Sequence, residues 1–150
     1  MKLLLAIDGS ELSEAVVRTV ITQHRPQDTE VKVLHAIAVD AWDGQGSPAR
    51  KLVDRSSAVL RSAGFKVETT ILKGATSDAI VDAAAEWDAD LIVLGSHVRT
   101  AVKRFLFGSV SDAVVHQAHC SVELVRFRSL HCHASLGIKA LDHGNSAGDR

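Results

Sequence analysis

The sequence predicts an α/β domain, a doubly wound five-stranded parallel sheet of order 3-2-1-4-5 with helices on both faces. Two observations lead there. Short β-branched apolar runs alternate strictly with segments whose apolar residues recur three or four positions apart. Such alternation implies parallel strands joined by right-handed helical crossovers. Two of the runs are apolar throughout, whereas two others alternate polar with apolar, which separates central strands from edge strands.

The strand-like runs are residues 2–7, 31–39, 65–72, 91–94 and 121–127. After the first, Leu12, Ala15, Val16 and Val20 define an amphipathic helix, and Ile80, Ala83, Ala84 and Trp87 define another before the fourth strand. Val53, Val59 and Leu60 mark a shorter helix across residues 49–63, and Val110, Ala113 and Val114 mark a last one starting at Ser109. Residues 3–7 and 91–94 are continuously apolar and belong in the middle of the sheet, while 66–70 and 121–126 alternate and belong at its edges. Winding then reverses between the carboxyl ends of strands one and four, where a crevice opens. Those ends are Asp8-Gly9-Ser10 and Gly95-Ser96-His97. Residues 40–48, with Gly44, Gly46 and Pro48, read as a loop on the same side.

The chain has 150 residues, 46% apolar and 23% charged, enough for one core and not two. The domain is expected over residues 1–128, and residues 129–150, polar and rich in His and Gly, form an expected disordered tail. Seventeen basic against 18 acidic residues leave a formal charge of −1, which excludes a general pull toward nucleic acid or anionic lipid. The opening apolar run stops at Asp8, too short for a secretion signal or a membrane span, and a cytoplasmic location is expected. Cys120 and Cys132 are too few for a disulfide framework and are expected to stay reduced.

At the crevice, Gly95 follows a buried strand, where a residue without Cβ permits a sharp turn and close approach of a ligand. Gly108 and Ser109 open the last helix. The run Ser109-Val110-Ser111-Asp112 fits the capping pattern of a hydroxyl followed three residues later by an acid. First-turn N–H groups and the positive end of the helix dipole make such a terminus an anion site, with phosphate the natural guest. The preceding loop adds His97, Arg99, Lys103 and Arg104. A plainer reading stands beside this one: Ser109 only caps, and Lys103-Arg104 is a solvated pair. Asp8 also has two readings, as an acceptor for a ligand or as the residue holding its own turn. No Gly-x-Ser-x-Gly elbow, Gly-Lys-Ser/Thr phosphate loop or strand-borne carboxylate pair is present, so no enzyme is expected. His131-Cys132-His133 are adjacent and do not close a tetrahedral site alone, so no metal site is expected.

In order and spacing these residues resemble the universal stress protein family over residues 1–126. The resemblance is carried by Leu4-Leu5-Ala6-Ile7-Asp8-Gly9-Ser10, by Ala89-Asp90-Leu91-Ile92-Val93-Leu94-Gly95 and by Lys103-Arg104-Phe105-Leu106-Phe107-Gly108-Ser109-Val110-Ser111, then by His119-Cys120-Ser121-Val122. It implies the fold just argued, frequent homodimers and a role in survival under stress. Many members bind ATP through Gly, two residues, Gly, nine residues, Gly, then Ser or Thr. Gly95, Gly108 and Ser109 match, but Val98 stands at the middle glycine, and Thr100 and Ala101 replace small residues of the loop. If that middle position needs a positive φ, a β-branched side chain there costs about 1–2 kcal/mol or more.

By the same resemblance Asp8 contacts the adenine or ribose side of the nucleotide and Ala36 flanks the base. Gly108, Ser109, Val110 and Ser111 contact phosphate, with Arg99 from the loop nearby and Mg²⁺ accompanying ATP. Two outcomes follow from Val98: a nucleotide-binding stress module, or a dimeric stress or interaction protein that has lost ATP. As an edge strand, residues 121–126 with Val122, Leu124 and Val125 invite a homodimer.

Overall fold

The computed structural model of the chain describes residues 1–37, 48–96 and 108–126. Among them the elements run β1 (Lys2–Ala6), α1 (Glu11–Gln23), β2 (Glu30–Ile37), α2 (Pro48–Ser62), β3 (Lys66–Lys73), α3 (Thr76–Glu86), β4 (Leu91–Ser96), α4 (Ser109–Gln117) and β5 (Ser121–Arg126). The strands form one parallel sheet of order β3-β2-β1-β4-β5, the order expected from the sequence. One boundary differs with consequence. β4 runs through Gly95 to Ser96, paired with Val125 and Arg126 of β5, so Gly95 lies inside a strand and not in the turn beyond it.

β1 sits at the centre, with Leu3, Leu4 and Leu5 fully buried. Because side chains alternate across a strand, these leucines feed two separate cores. Leu3 and Leu5 join Val31, Val33 and Val93 beneath α1 and α2, meeting Val16, Val20, Val53 and Leu60. Leu4 and Ala6 join Leu34, Ile92 and Leu94 beneath α3 and α4, meeting Ile80, Ala83, Ala84 and Val114. Each of the valines, leucines and isoleucines contributes roughly 1.5–3 kcal/mol by leaving water. Helices thus cover both faces, as strict β-α alternation requires.

Two helices end in the same motif with different residues. α2 closes with Phe65 N–H donating to the Leu60 carbonyl and Gly64 N–H to that of Arg61, Gly64 taking φ +94°. α3 closes with Ala89 N–H donating to Ala84 and Asp88 N–H to Ala85, but here the left-handed residue is Asp88, at φ 55°. At the amino ends of the strands, Lys32 Nζ lies 4.6 Å from the Trp87 ring centroid and Lys2 Nζ donates to the Trp87 carbonyl at 3.0 Å. Cys120, just before β5, is a free thiol; partial burial pushes its pKa up, and the nearby Asp90 carboxylate adds to this. Residues 127–150, which hold the expected tail and Cys132, fall outside the described residues, as do residues 38–47, which hold the end of the expected second strand and all of the expected loop except Pro48. Pro48, expected in that loop, instead opens α2, where the first helical position needs no N–H donor.

Candidate functional site

A cavity of about 860 Å³ opens at the carboxyl ends of β1, β2 and β4, within the size range of small-molecule sites. Its walls are Ile7 and Asp8 beyond β1, Leu34 and Ala36 of β2, Leu94 and Gly95 of β4, and residues near the amino termini of three helices. α1 supplies Leu12 and Ser13, α3 supplies Thr76 and Ile80, and α4 supplies Ser109 to Asp112 after Gly108. Asp8, Ala36, Gly95, Gly108, Ser109, Val110 and Ser111, singled out from the sequence, therefore share one cavity. Arg99 lies outside the described residues, together with His97, Val98, Lys103 and Arg104.

The chain enters α1 through a tightly bonded turn. Gly9 takes φ +82°, a conformation L side chains rarely adopt. Asp8 Oδ1 accepts from Ser10 N–H at 2.9 Å, from Ser10 Oγ at 2.6 Å and from Ser13 Oγ at 3.2 Å. Ser13 Oγ in turn accepts from Gly9 N–H at 3.0 Å and from Asp8 N–H at 3.3 Å. Ser10 is the N-cap of α1, its hydroxyl accepting from Leu12 N–H at 3.3 Å. The turn role of Asp8 is thus present, and its carboxylate also stands on the cavity wall. On the neighbouring strand, His35 Nδ1 lies 2.7 Å from the Ile7 carbonyl, which requires the proton on Nδ1 and ties β2 to the residue preceding Asp8.

The start of α4 departs from the expected capping pattern. The N-cap is Gly108, at φ −51° and ψ 154°, and no side chain caps the helix. Ser109 already has helical backbone at the first position, so its hydroxyl cannot serve the cap, which needs an extended residue. Asp112 N–H makes the first intrahelical bond, to the Gly108 carbonyl at 2.9 Å. The N–H groups of Ser109, Val110 and Ser111 are therefore the first-turn donors that a helix leaves without internal partners. Ser111 is buried, and its hydroxyl donates to the Gly95 carbonyl at 3.3 Å. That side chain holds the helix to the strand; its backbone N–H remains in the first turn.

Gly95, on the cavity wall, also has a packing reason that the sequence did not show. A Cβ there would sit 3.0 Å from Leu12 Cβ and 3.5 Å from Val16 Cγ2, so the glycine lets α1 lie close against β4. Reading along the chain missed Ser13 and Thr76. A lone serine in a helix carries no local signal, and Thr76 meets the cavity only because α3 begins beside β2. The N-cap of α3, Ala75, likewise has no side-chain cap. Among the described lining residues there are two carboxylates, Asp8 and Asp112, and no lysine or arginine, so the field favourable to an anion is that of the helix amino termini. Among the described residues no three His, Cys, Asp or Glu side chains gather as a metal site, and no helix is long and apolar enough to cross a membrane.

A parallel sheet wound on both faces, with a cavity where its winding reverses, defines a doubly wound α/β domain whose ligand edge is the carboxyl end of the strands. The universal stress protein family model matches residues 1–126, and the chain belongs to that family. Universal stress protein MJ0531 of Methanocaldococcus jannaschii is 29% identical over 141 residues, covering 83% of this chain and 81% of that protein. Among solved structures, the hypothetical protein MJ0577 superposes with a TM-score of 0.73 at 28% identity, over 85% of this chain and 96% of its own. The universal stress protein of Archaeoglobus fulgidus in complex with dAMP gives a TM-score of 0.64 at 26% identity, over 83% of this chain and 96% of its own.

Proposed function

We propose that this domain binds an adenine nucleotide in the cavity at the carboxyl ends of β1, β2 and β4 and acts in the stress response as a binding module, without catalysis. The observation that carries the reading is the amino terminus of α4. Its cap position is a glycine, no side chain caps it, and its first turn opens on a cavity of about 860 Å³. A phosphate group there meets backbone donors and the positive end of the helix dipole. The wall on the β2 and α3 side, with Leu34, Ala36 and Ile80, offers apolar surface for a base. The dAMP complex of the Archaeoglobus relative supports the same ligand class. ATP with Mg²⁺ is the nucleotide we propose, with Asp8 toward the base or ribose, Gly95, Gly108, Ser109, Val110 and Ser111 around the phosphates, and Arg99 assisting from the loop.

Titration calorimetry with ATP and Mg²⁺ tests this. Heat of binding in the micromolar to millimolar range is expected, together with its loss in Gly108→Val; no heat at millimolar nucleotide, or unchanged affinity in that variant, overturns it. A second reading rests on Val98, which occupies the middle glycine of the ATP pattern: a stress or interaction protein whose nucleotide site has decayed. Val98→Gly separates the two. Binding created by that change favours the decayed site, whereas unchanged affinity shows that the loop never needed the glycine.

The proposal includes a cytoplasmic location and a homodimer through Ser121–Arg126. β5 is an edge of the sheet, with Val122 and Leu124 half-buried, and a second copy would cover its outer side. A dimer by sedimentation at about 10–50 μM, where such interfaces ordinarily hold, is the expected result.

A further inference from the structure

We infer that Ser13 is a positioning residue for the nucleotide, acting through the carboxylate of Asp8; the inference rests on the nucleotide reading above. Ser13 is 4% exposed and lines the cavity. A serine hydroxyl has one proton to donate and two lone pairs to accept with, and here all are engaged: Oγ donates to Asp8 Oδ1 and accepts from the N–H groups of Asp8 and Gly9.

Helix start-up does not require this arrangement. α1 already has its N-cap in Ser10, whose hydroxyl accepts from Leu12 N–H. Ser10 N–H is itself satisfied by Asp8 Oδ1 at 2.9 Å. The hydroxyl of Ser13 instead reaches back out of the helix and grips the turn and the acid together. Its two acceptor bonds shape the backbone on either side of the Asp8 peptide, where Gly9 takes its left-handed φ of +82°. Its donor bond goes to the carboxylate itself. Three donors converge on Oδ1, which holds the carboxylate in one orientation at the cavity wall. An acid fixed in this way meets a ligand hydroxyl or amino group without first losing side-chain freedom on binding.

A double-mutant cycle, read by calorimetry with ATP and Mg²⁺ on the full chain, tests the role. Ser13→Ala is expected to weaken ATP by about tenfold, as loss of one hydrogen bond to a charged group does. In an Asp8→Ala background the same change is expected to alter affinity less than twofold. Ser13→Cys, nearly isosteric and a poor hydrogen-bonding group, keeps the test open if the alanine variant folds badly and should show the same loss with a native circular dichroism spectrum. Equal losses with and without Asp8 would mean that Ser13 only holds the turn, and no loss would mean that it does nothing for the ligand; either overturns the inference while leaving the nucleotide reading intact. Absence of binding by the unaltered protein removes the nucleotide reading, and this role with it.

Discussion

The hydroxyl of Ser111 donates to the carbonyl oxygen of Gly95 over 3.3 Å, joining the first turn of α4 to the end of β4 between residues 16 positions apart. Ser111 is 3% exposed, so the bond is sheltered from water. Through it the sheet sets where the first-turn N–H groups of α4 stand at the cavity. Ser111→Ala removes the donor and leaves a half-buried carbonyl without it, a change expected to lower stability by about 1–2 kcal/mol. The urea midpoint should fall with an unchanged slope.

Gly95→Ala discriminates between two uses of that glycine. If its purpose were close approach of a ligand, alanine would reduce nucleotide affinity and leave stability alone. The 3.0 Å approach of a Cβ to Leu12 Cβ predicts instead that α1 is pushed off β4. The expected outcome is a loss of roughly 1–3 kcal/mol, measured by denaturant unfolding without any ligand.

Gly108→Asp should separate folding from binding. The N-cap backbone, at φ −51°, suits any residue, and an aspartate there accepts from the first turn of α4. Stability should change by no more than a few tenths of a kcal/mol. Nucleotide affinity should fall at least about tenfold, because a fixed carboxylate then occupies the end of the dipole proposed for phosphate. Thermal unfolding and calorimetry on the same samples check both.

The paired helix ends make a stability prediction independent of ligand. Asp88, at φ 55°, holds the position in α3 that Gly64 holds in α2. Asp88→Gly should raise stability by roughly 0.5–1 kcal/mol, and Gly64→Ala should lower it by about 1 kcal/mol or more, since alanine must adopt φ +94°. Opposite shifts of the melting temperature are the expected result.

Cys120 should react slowly. Partial burial and the Asp90 carboxylate both raise its thiol pKa, so at pH 8 less of it is thiolate than in a free cysteine. In a Cys132→Ser background, alkylation by iodoacetamide should be slower than that of a model thiol and should accelerate only at more alkaline pH. Asp90→Asn should move the rate profile toward lower pH.

Much of this protein was legible along the chain. Continuous apolarity in residues 3–7 and 91–94 located the central strands, alternation in 121–126 located an edge, and periodic apolar positions located the helices, because burial on two faces, one face or one stripe leaves a distinct period in the sequence. Strand order put Asp8 and Gly95 at one crevice, and the family resemblance added Ala36 and Gly108 to Ser111, all of which line one cavity. Tertiary structure decided the rest. Gly95 is glycine because Leu12 and Val16 of α1 arrive against it. Ser111 spends its hydroxyl on a strand far back in the chain, and Ser13 turns its own toward the loop it has just left. Local periodicity reports which side of an element is dry; it carries no record of which distant atom meets a given hydroxyl or hydrogen, and that is set only when the elements pack.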